Sequence, residues 1–228
     1  MIGVIVTSKI EWDSLLDVYG IDKDLSEKYI YGEYYQTTIY KKDVVFFRSL
    51  GRKALAAASV QYMIDKFDLK KIIFIGTCTQ VCDYVDYGDV FIPNLVAEYD
   101  VSIREIEPLI KESSIIELDK ANVSLKYFDG LLGTSDKSLV TKRDYKMVLE
   151  TNMVGSDTEG AAIAKVCKLN NVKVVIIKGI SDRISEEENY SEQTEVYEEN
   201  APIIIKNIAE NYLNEVINEW KKVSYFYY

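Results

Sequence analysis

Three short apolar runs constrain this chain most: residues 2–6, 71–75 and 172–178, each rich in β-branched residues and each running into small or polar ones. The first leads to Thr7 and Ser8, the second to Gly76 and Thr77, the third to Gly179, Ser181 and Asp182. Runs of this length without polar alternation read as strands buried on both faces. Segments with helical spacing lie between them, at residues 10–19, 54–67 and 159–169; the second is rich in alanine. Residues 29–40 and 43–48, joined by Lys41 and Lys42, read as a hairpin. Further short strands are expected at 90–92, 95–99, 124–128, 130–133 and 153–154. A short helix is expected at 143–150, a helix and a loop over 103–122, an acidic loop over 185–200, and a long amphipathic helix over 201–220. Strands alternating with helices after an antiparallel hairpin predict an α/β fold, a mixed sheet sandwiched between helices. The 228 residues suit one domain spanning 1–228, with no internal repeat and no linker.

Composition narrows the chemistry. A formal net charge of −10 opposes binding to nucleic-acid backbones and anionic membranes. The short basic pairs Lys70-Lys71 and Lys221-Lys222 do not reverse that balance, so the expected partner is a small molecule, with no nucleic acid and no membrane. No apolar stretch approaches the ~20 residues of a membrane helix. The start of the chain reads as a first strand rather than a signal peptide. The eighteen tyrosines come without a basic groove and read as surface and sheet-face residues. Cys78, Cys82 and Cys167 form no disulfide pattern, which suits a reducing, cytoplasmic setting. The chain has no histidine, so Ser-His-Asp and Cys-His catalysis are excluded and a zinc site is disfavoured. Acid–base work falls mainly to carboxylates.

In such sheets ligands lie beyond the carboxyl ends of the strands. Three polar clusters fall there: Thr7 to Glu11, Gly76 to Thr79, and Ser181-Asp182. Each acid also has a plain structural reading. Asp182 suits a turn or helix cap, Glu159 the first turn of a helix, and Glu11 a solvated first-turn position.

Taken together, however, the motifs resemble the nucleoside phosphorylase / methylthioadenosine–adenosylhomocysteine nucleosidase superfamily. Gly155-Ser156-Asp157-Thr158-Glu159-Gly160-Ala161-Ala162 looks like its ribose-binding helix. Gly179-Ile180-Ser181-Asp182 resembles its base-binding motif. Ile75-Gly76-Thr77-Cys78 and Tyr87-Gly88-Asp89-Val90-Phe91-Ile92-Pro93 match its glycine-loop and Gly-Asp-Val elements, and residues 2–11 are similar to the nucleosidase N-terminus. The resemblance covers nearly the whole chain in order. It implies a three-layer αβα sandwich with a partly barrel-like central sheet, and cleavage of a purine N-ribosyl bond without metal or organic cofactor. It gives Asp182 the protonation of the leaving base, which requires a carboxyl pKa raised by burial. It gives Glu11 the activation of water and Glu159 the grip on the 2′- and 3′-hydroxyls. Substrate contacts extend to Thr158, Asp157, Thr77, Ser181 and Ser138. The resemblance also implies a homodimer or higher homo-oligomer.

Water or phosphate can serve as nucleophile in this superfamily. Hexameric purine nucleoside phosphorylases place an arginine in a Gly-rich loop after the first strand and another just before the Gly-Ser/Thr-Cys-Gly element. Here those places read Val6-Thr7-Ser8-Lys9 and Phe74-Ile75-Gly76-Thr77, without arginine. Lys9, Arg48 or Arg52 could substitute, yet hydrolysis is the preferred reading. Phosphate-dependent cleavage, with phosphate as co-substrate, and an inactive nucleoside-binding relative are the alternatives. Thr158 replaces a methionine that packs under the ribose, Ser138 falls where an aromatic stacks on adenine, and Thr79-Gln80 replace two glycines. These departures point to a modified or divergent substrate.

Overall fold

The computed structural model describes residues 1–100, 115–139, 144, 146, 148, 151–184 and 190–219. In chain order the strands are β1 (Ile2–Val6), β2 (Glu27–Tyr29), β3 (Gly32–Ile39), β4 (Lys42–Ser49), β5 (Lys71–Gln80), β6 (Val90–Phe91), β7 (Leu95–Glu98), β8 (Ile115–Glu117), β9 (Leu131–Thr134), β10 (Met153–Asp157) and β11 (Lys173–Arg183). The helices are α1 (Lys9–Val18), α2 (Lys53–Phe67), α3 (Gly160–Leu169), α4 (Tyr190–Asn207), continued by a π-helical stretch (Ile208–Leu213), and α5 (Asn214–Asn218).

The three apolar runs become the centre of one mixed sheet. β5 is flanked by β1 on one edge and β11 on the other, all parallel. Side chains alternate across this centre, as the pleat requires. Val4, Ile73, Ile75, Val175 and Ile177 pack with Trp12, Leu15 and Leu16 of α1 and with Ile204, Ile205 and Ile208 of the C-terminal helices. Ile5, Ile72, Phe74, Val174 and Ile176 pack on the other side with Val60 and Met63 of α2 and Ile163 and Cys167 of α3. Both faces are therefore dry, which is why these strands carry no polar alternation. The three expected layers are present. The sheet runs β2-β3-β4-β1-β5-β10-β9-β7-β8, with β11 and β6 branching from β5, and it does not close into a barrel.

Several boundaries differ from expectation. β5 and β11 continue as strands through Gly76 and Gly179, because each goes on pairing with the other to Gln80 and Arg183. Ile115–Glu117 is an edge strand on β7, not helix or loop; it is too short to show a period. Residues 124–128 form no strand: Leu125 and Tyr127 stay exposed, and Phe128 makes one bridge to Phe91. Residues 190–200 are helix rather than loop. In this half of α4 the inward positions are the polar Gln193 and Tyr197, continued by the apolar Ala201, Ile204 and Ile208, so the apolar period is hidden. Pro202 lies within the helix on its exposed face, where the carbonyl that loses its partner can bond water. Of the short helix expected at 143–150, residues 144, 146 and 148 are helical. The rest of that helix, residues 103–114 and 185–189, and the C-terminal lysines and tyrosines after 219 lie outside the described residues. Among the described residues no helix is long and apolar enough to cross a membrane.

α4 lies against β11 at Gly179, where an added Cβ would meet Ile204 Cγ2 at 2.2 Å. Gly179→Ala therefore overpacks the joint between helix and sheet. The expected loss is about 1–3 kcal/mol of unfolding free energy, read from urea denaturation; an unchanged midpoint would contradict this packing.

Candidate active site

The site arises where the sheet stops bonding to itself. β1 accompanies β5 only as far as Phe74. β10 joins the chain of strands antiparallel to β5, at Thr79 and Gln80. Along residues 75–78 neither β1 nor β10 pairs with β5, and the carboxyl ends of β1 and β10 point toward each other across the gap. A cavity of about 370 Å³ opens there, within the ~300–1,000 Å³ range of small-molecule sites. Glu11, Thr77, Ser138, Asp157, Thr158, Glu159, Ser181 and Asp182 all line it. Eight residues named from sequence thus share one cavity.

Glu11 closes the gap in the sheet. Its Oε1 accepts the Thr77 N–H at 2.9 Å and the Thr77 hydroxyl at 3.2 Å. Its Oε2 accepts the N–H groups of Thr7 and Ser8 at 3.3 and 3.2 Å, while Ser8 Oγ accepts the Glu11 N–H. This reciprocal pair is a capping box that starts α1. The glutamate is only 3% exposed, so the solvated reading is overturned, and it caps a helix and faces the cavity at once. Gly76 permits the approach: a Cβ there would lie 3.1 Å from both Glu11 Oε1 and Lys178 Nζ.

Asp182 is aimed by a bulge. Cys78 pairs with Ile180 and Thr79 with Asp182, leaving Ser181 as the extra residue in β11. Bulges re-aim side chains in this way beside functional sites. Asp182 Oδ2 accepts the Thr79 hydroxyl at 2.8 Å, and Oδ1 accepts the Ser181 hydroxyl at 2.6 Å. Asn200 of α4 donates to the Ser181 carbonyl at 3.0 Å, tying the bulge to the helix. The turn or cap reading for Asp182 does not hold, since the residue is within a strand.

The third group couples two acids to one buried cation. Asp157 accepts from the Gly160 N–H at 3.1 Å and from the Thr134 hydroxyl at 2.7 Å, and it pairs with Lys178 Nζ at 3.1 Å. It lines the cavity wall, but its carboxylate serves the start of α3 and the lysine. Lys178 is 1% exposed, and its ammonium also lies 3.5 Å from the centre of the Phe74 ring. Glu159 Oε1 accepts the Arg52 N–H at 2.8 Å and the Thr158 hydroxyl. Burial first, and then the neighbouring Asp157, push the Glu159 carboxyl above its usual range; Lys178 and the two donors offset part of this. Arg52 supplies its N–H with φ 81° and ψ 155°, a conformation nearly reserved for glycine that costs about 1–3 kcal/mol.

Sequence reasoning missed several members of the site. Lys178 announces itself as the one charge between Val174 and Ile180, and Ser8-x-x-Glu11 has capping-box spacing; both signals were readable. Tyr197 had none. Its hydroxyl donates to Ser8 Oγ at 2.6 Å. Its phenol pKa is driven up by burial and then by Glu11, with Glu159 and Asp182 adding to the rise, so the ring stands within the field of all three acids. Burial likewise drives up the Cys78 thiol, which suits a packed residue rather than a nucleophile. Of the cations that could receive phosphate, Lys9 pairs with Asp13 and Arg48 with Glu33, each at 2.8 Å, and neither lines the cavity. Arg52 does line it. Among the described residues no group of three or more His, Cys, Asp or Glu side chains could hold a metal ion.

Comparison with known proteins gives the family and the fold. The family model described as the phosphorylase superfamily matches residues 2–210. A 5'-methylthioadenosine/S-adenosylhomocysteine nucleosidase of Shewanella denitrificans is 29% identical, over 66% of this chain and 73% of the relative. The Helicobacter pylori nucleosidase of that name, solved with butyl-thio-DADMe-Immucillin-A, superposes with a TM-score of 0.80 at 18% identity, over 96% of this chain and 98% of that one. The futalosine hydrolase of Helicobacter pylori superposes with a TM-score of 0.81 at 18% identity, over 96% of this chain and 97% of that one. With a model that spans all but the first residue and the C-terminal segment, and with its motifs gathered on one cavity, this chain belongs to the phosphorylase superfamily.

Proposed function

We propose that this chain hydrolyses the N-glycosidic bond of a purine ribonucleoside. The observation that carries the reading is the convergence of Glu11, Glu159 and Asp182 on one cavity, with Tyr197 in the field of all three. In this scheme Glu159 receives the 2′- and 3′-hydroxyls, since a charged carboxylate binds two donors strongly and fixes the ring. The C1′–N bond breaks with its electron pair going to the base, and Asp182 supplies the proton that lets the base leave neutral. Water attacks C1′ and gives its proton to Glu11. The Thr77 hydroxyl, the longer of the two bonds to Glu11 Oε1, is the one such a water can replace. The acidic floor suits the positive charge that develops on the sugar. Side chains and water carry every step. The superfamily's nucleosidase relatives support water as nucleophile, as does the engagement of Lys9 and Arg48 elsewhere. The reading includes a cytoplasmic homo-oligomer, supported by the free thiols and by Leu55, Tyr62 and Ile30 exposed on α2 and the neighbouring hairpin.

Two outcomes test the scheme. Free base should appear from a purine nucleoside without added phosphate, and Asp182→Asn should slow it by about 10²–10⁴-fold. Strict dependence on phosphate with ribose 1-phosphate as product would select phosphorolysis, and full activity in D182N would remove the proposed acid.

Glu159 gives a second test, through stability. Its folded-state pKa lies above the unfolded one, so its contribution to stability is complete below the ordinary glutamate range and is lost as pH rises through the folded value. Glu159→Gln keeps an acceptor for Arg52 and Thr158 but removes the repulsion with Asp157. The variant should melt higher than the wild type at neutral pH and converge with it near pH 4, while kcat/KM falls about 10–100-fold through the lost charged contacts. A variant that melts lower at neutral pH would contradict this charge balance.

A further inference from the structure

We infer that Arg52 selects ribonucleosides whose 5′ position carries an anionic group, an inference that rests on the sugar-binding role proposed for Glu159. Three observations converge on it. The first is position. Arg52 donates its backbone N–H to Glu159, so its side chain starts one hydrogen bond from the carboxylate assigned to the 2′- and 3′-hydroxyls. With those hydroxyls held and C1′ facing Glu11, the 5′ carbon is the remaining point from which a substituent can reach Arg52.

The second is charge. The cavity floor carries Glu11, Glu159 and Asp182, whereas Arg52 and Lys137 are the cations among the described lining residues that are not buried beneath it. The Arg52 guanidinium is steadied by a bond to the Asp136 carbonyl, and Lys137 Nζ by Asp144 at 2.7 Å. One guanidinium N–H is used there; a guanidinium has five, in a fork that matches carboxylate or phosphate oxygens. Leu139 and Cys78 are the only wholly apolar side chains among the described lining residues.

The third is conformation. The bond to Glu159 needs only a backbone N–H, which glycine would supply at φ 81° without strain. Arginine takes that strain at a position that lines the cavity, with its guanidinium bonded to the Asp136 carbonyl.

The test compares four substrates: adenosine, 5′-methylthioadenosine, a 5′-(2-carboxyethylthio)adenosine and adenosine 5′-monophosphate. Base release is followed for the wild type, Arg52→Gly and Arg52→Lys. The expected result is a preference of about 10–100-fold in kcat/KM for an anionic member over 5′-methylthioadenosine, expressed mainly in KM. The carboxylate and phosphate arms identify which anion is preferred. R52G should lose the preference and melt higher through relief of strain; R52K should keep part of the preference. Equal or better use of 5′-methylthioadenosine by the wild type, or a ratio unchanged in R52G, overturns the inference. So does phosphate-dependent cleavage of neutral adenosine that is lost in R52G, since Arg52 would then serve the nucleophile. Thermal shifts with the same four compounds rank their binding without turnover. An inactive chain would therefore sink the proposed hydrolysis, while the ranking would still decide the role of Arg52.

Discussion

The hydrogen bond from the Thr77 N–H to the Glu11 carboxylate holds the site together. A sheet edge left unpaired in a protein interior must find another acceptor, because a buried N–H without one costs free energy comparable to a lost hydrogen bond. Here β1 has ended and β10 has not begun, and a carboxylate completes the pairing. The same carboxylate caps α1. One side chain therefore joins the end of β1, the start of a helix and the exposed edge of the longest central pair of strands. The discontinuity that makes a cavity also delivers an oriented acid into it.

The second constraint is charge. Glu11, Asp157, Glu159 and Asp182 are each at most 9% exposed, around one buried ammonium. Lys178 neutralises Asp157 directly and eases the burden on Glu159 through the field. Burial first, and then Asp157, still hold the Glu159 carboxyl above its usual range, and a ligand whose sugar turns positive relieves it. Stability and binding are thus set against each other at this site, as is common where function requires groups to be held apart from their solvent.

Much of this was legible in the chain itself. The central strands showed because they are buried on both faces and so read as unbroken apolar runs, such as Ile72 to Ile75. Glu11 and Asp182 showed because each follows such a run within a few residues, and Glu159 through the motif Gly155 to Ala162 that resembles the superfamily's ribose-binding helix. What was hidden had physical causes. The first half of α4 lines a polar cavity, so Gln193 and Tyr197 take positions that a dry core would fill with leucine, and the period disappears. β8 is three residues long and derives its structure from β7 rather than from its own pattern. The bulge at Ser181 follows from register between two distant strands, which no local spacing encodes. Arg52 showed only as a cation that could receive phosphate; its contact with Glu159 was hidden, because a positive φ has no signature in a single sequence.

The most direct measurement is a crystal structure with a 9-deaza C-nucleoside, whose carbon–carbon link to the sugar cannot be cleaved. The account predicts the 2′- and 3′-hydroxyls on the Glu159 carboxylate, the base edge within hydrogen-bond reach of Asp182, and one ordered water between Glu11 and C1′. A nucleoside seated outside this cavity, or one bound with C1′ turned away from Glu11, would contradict it.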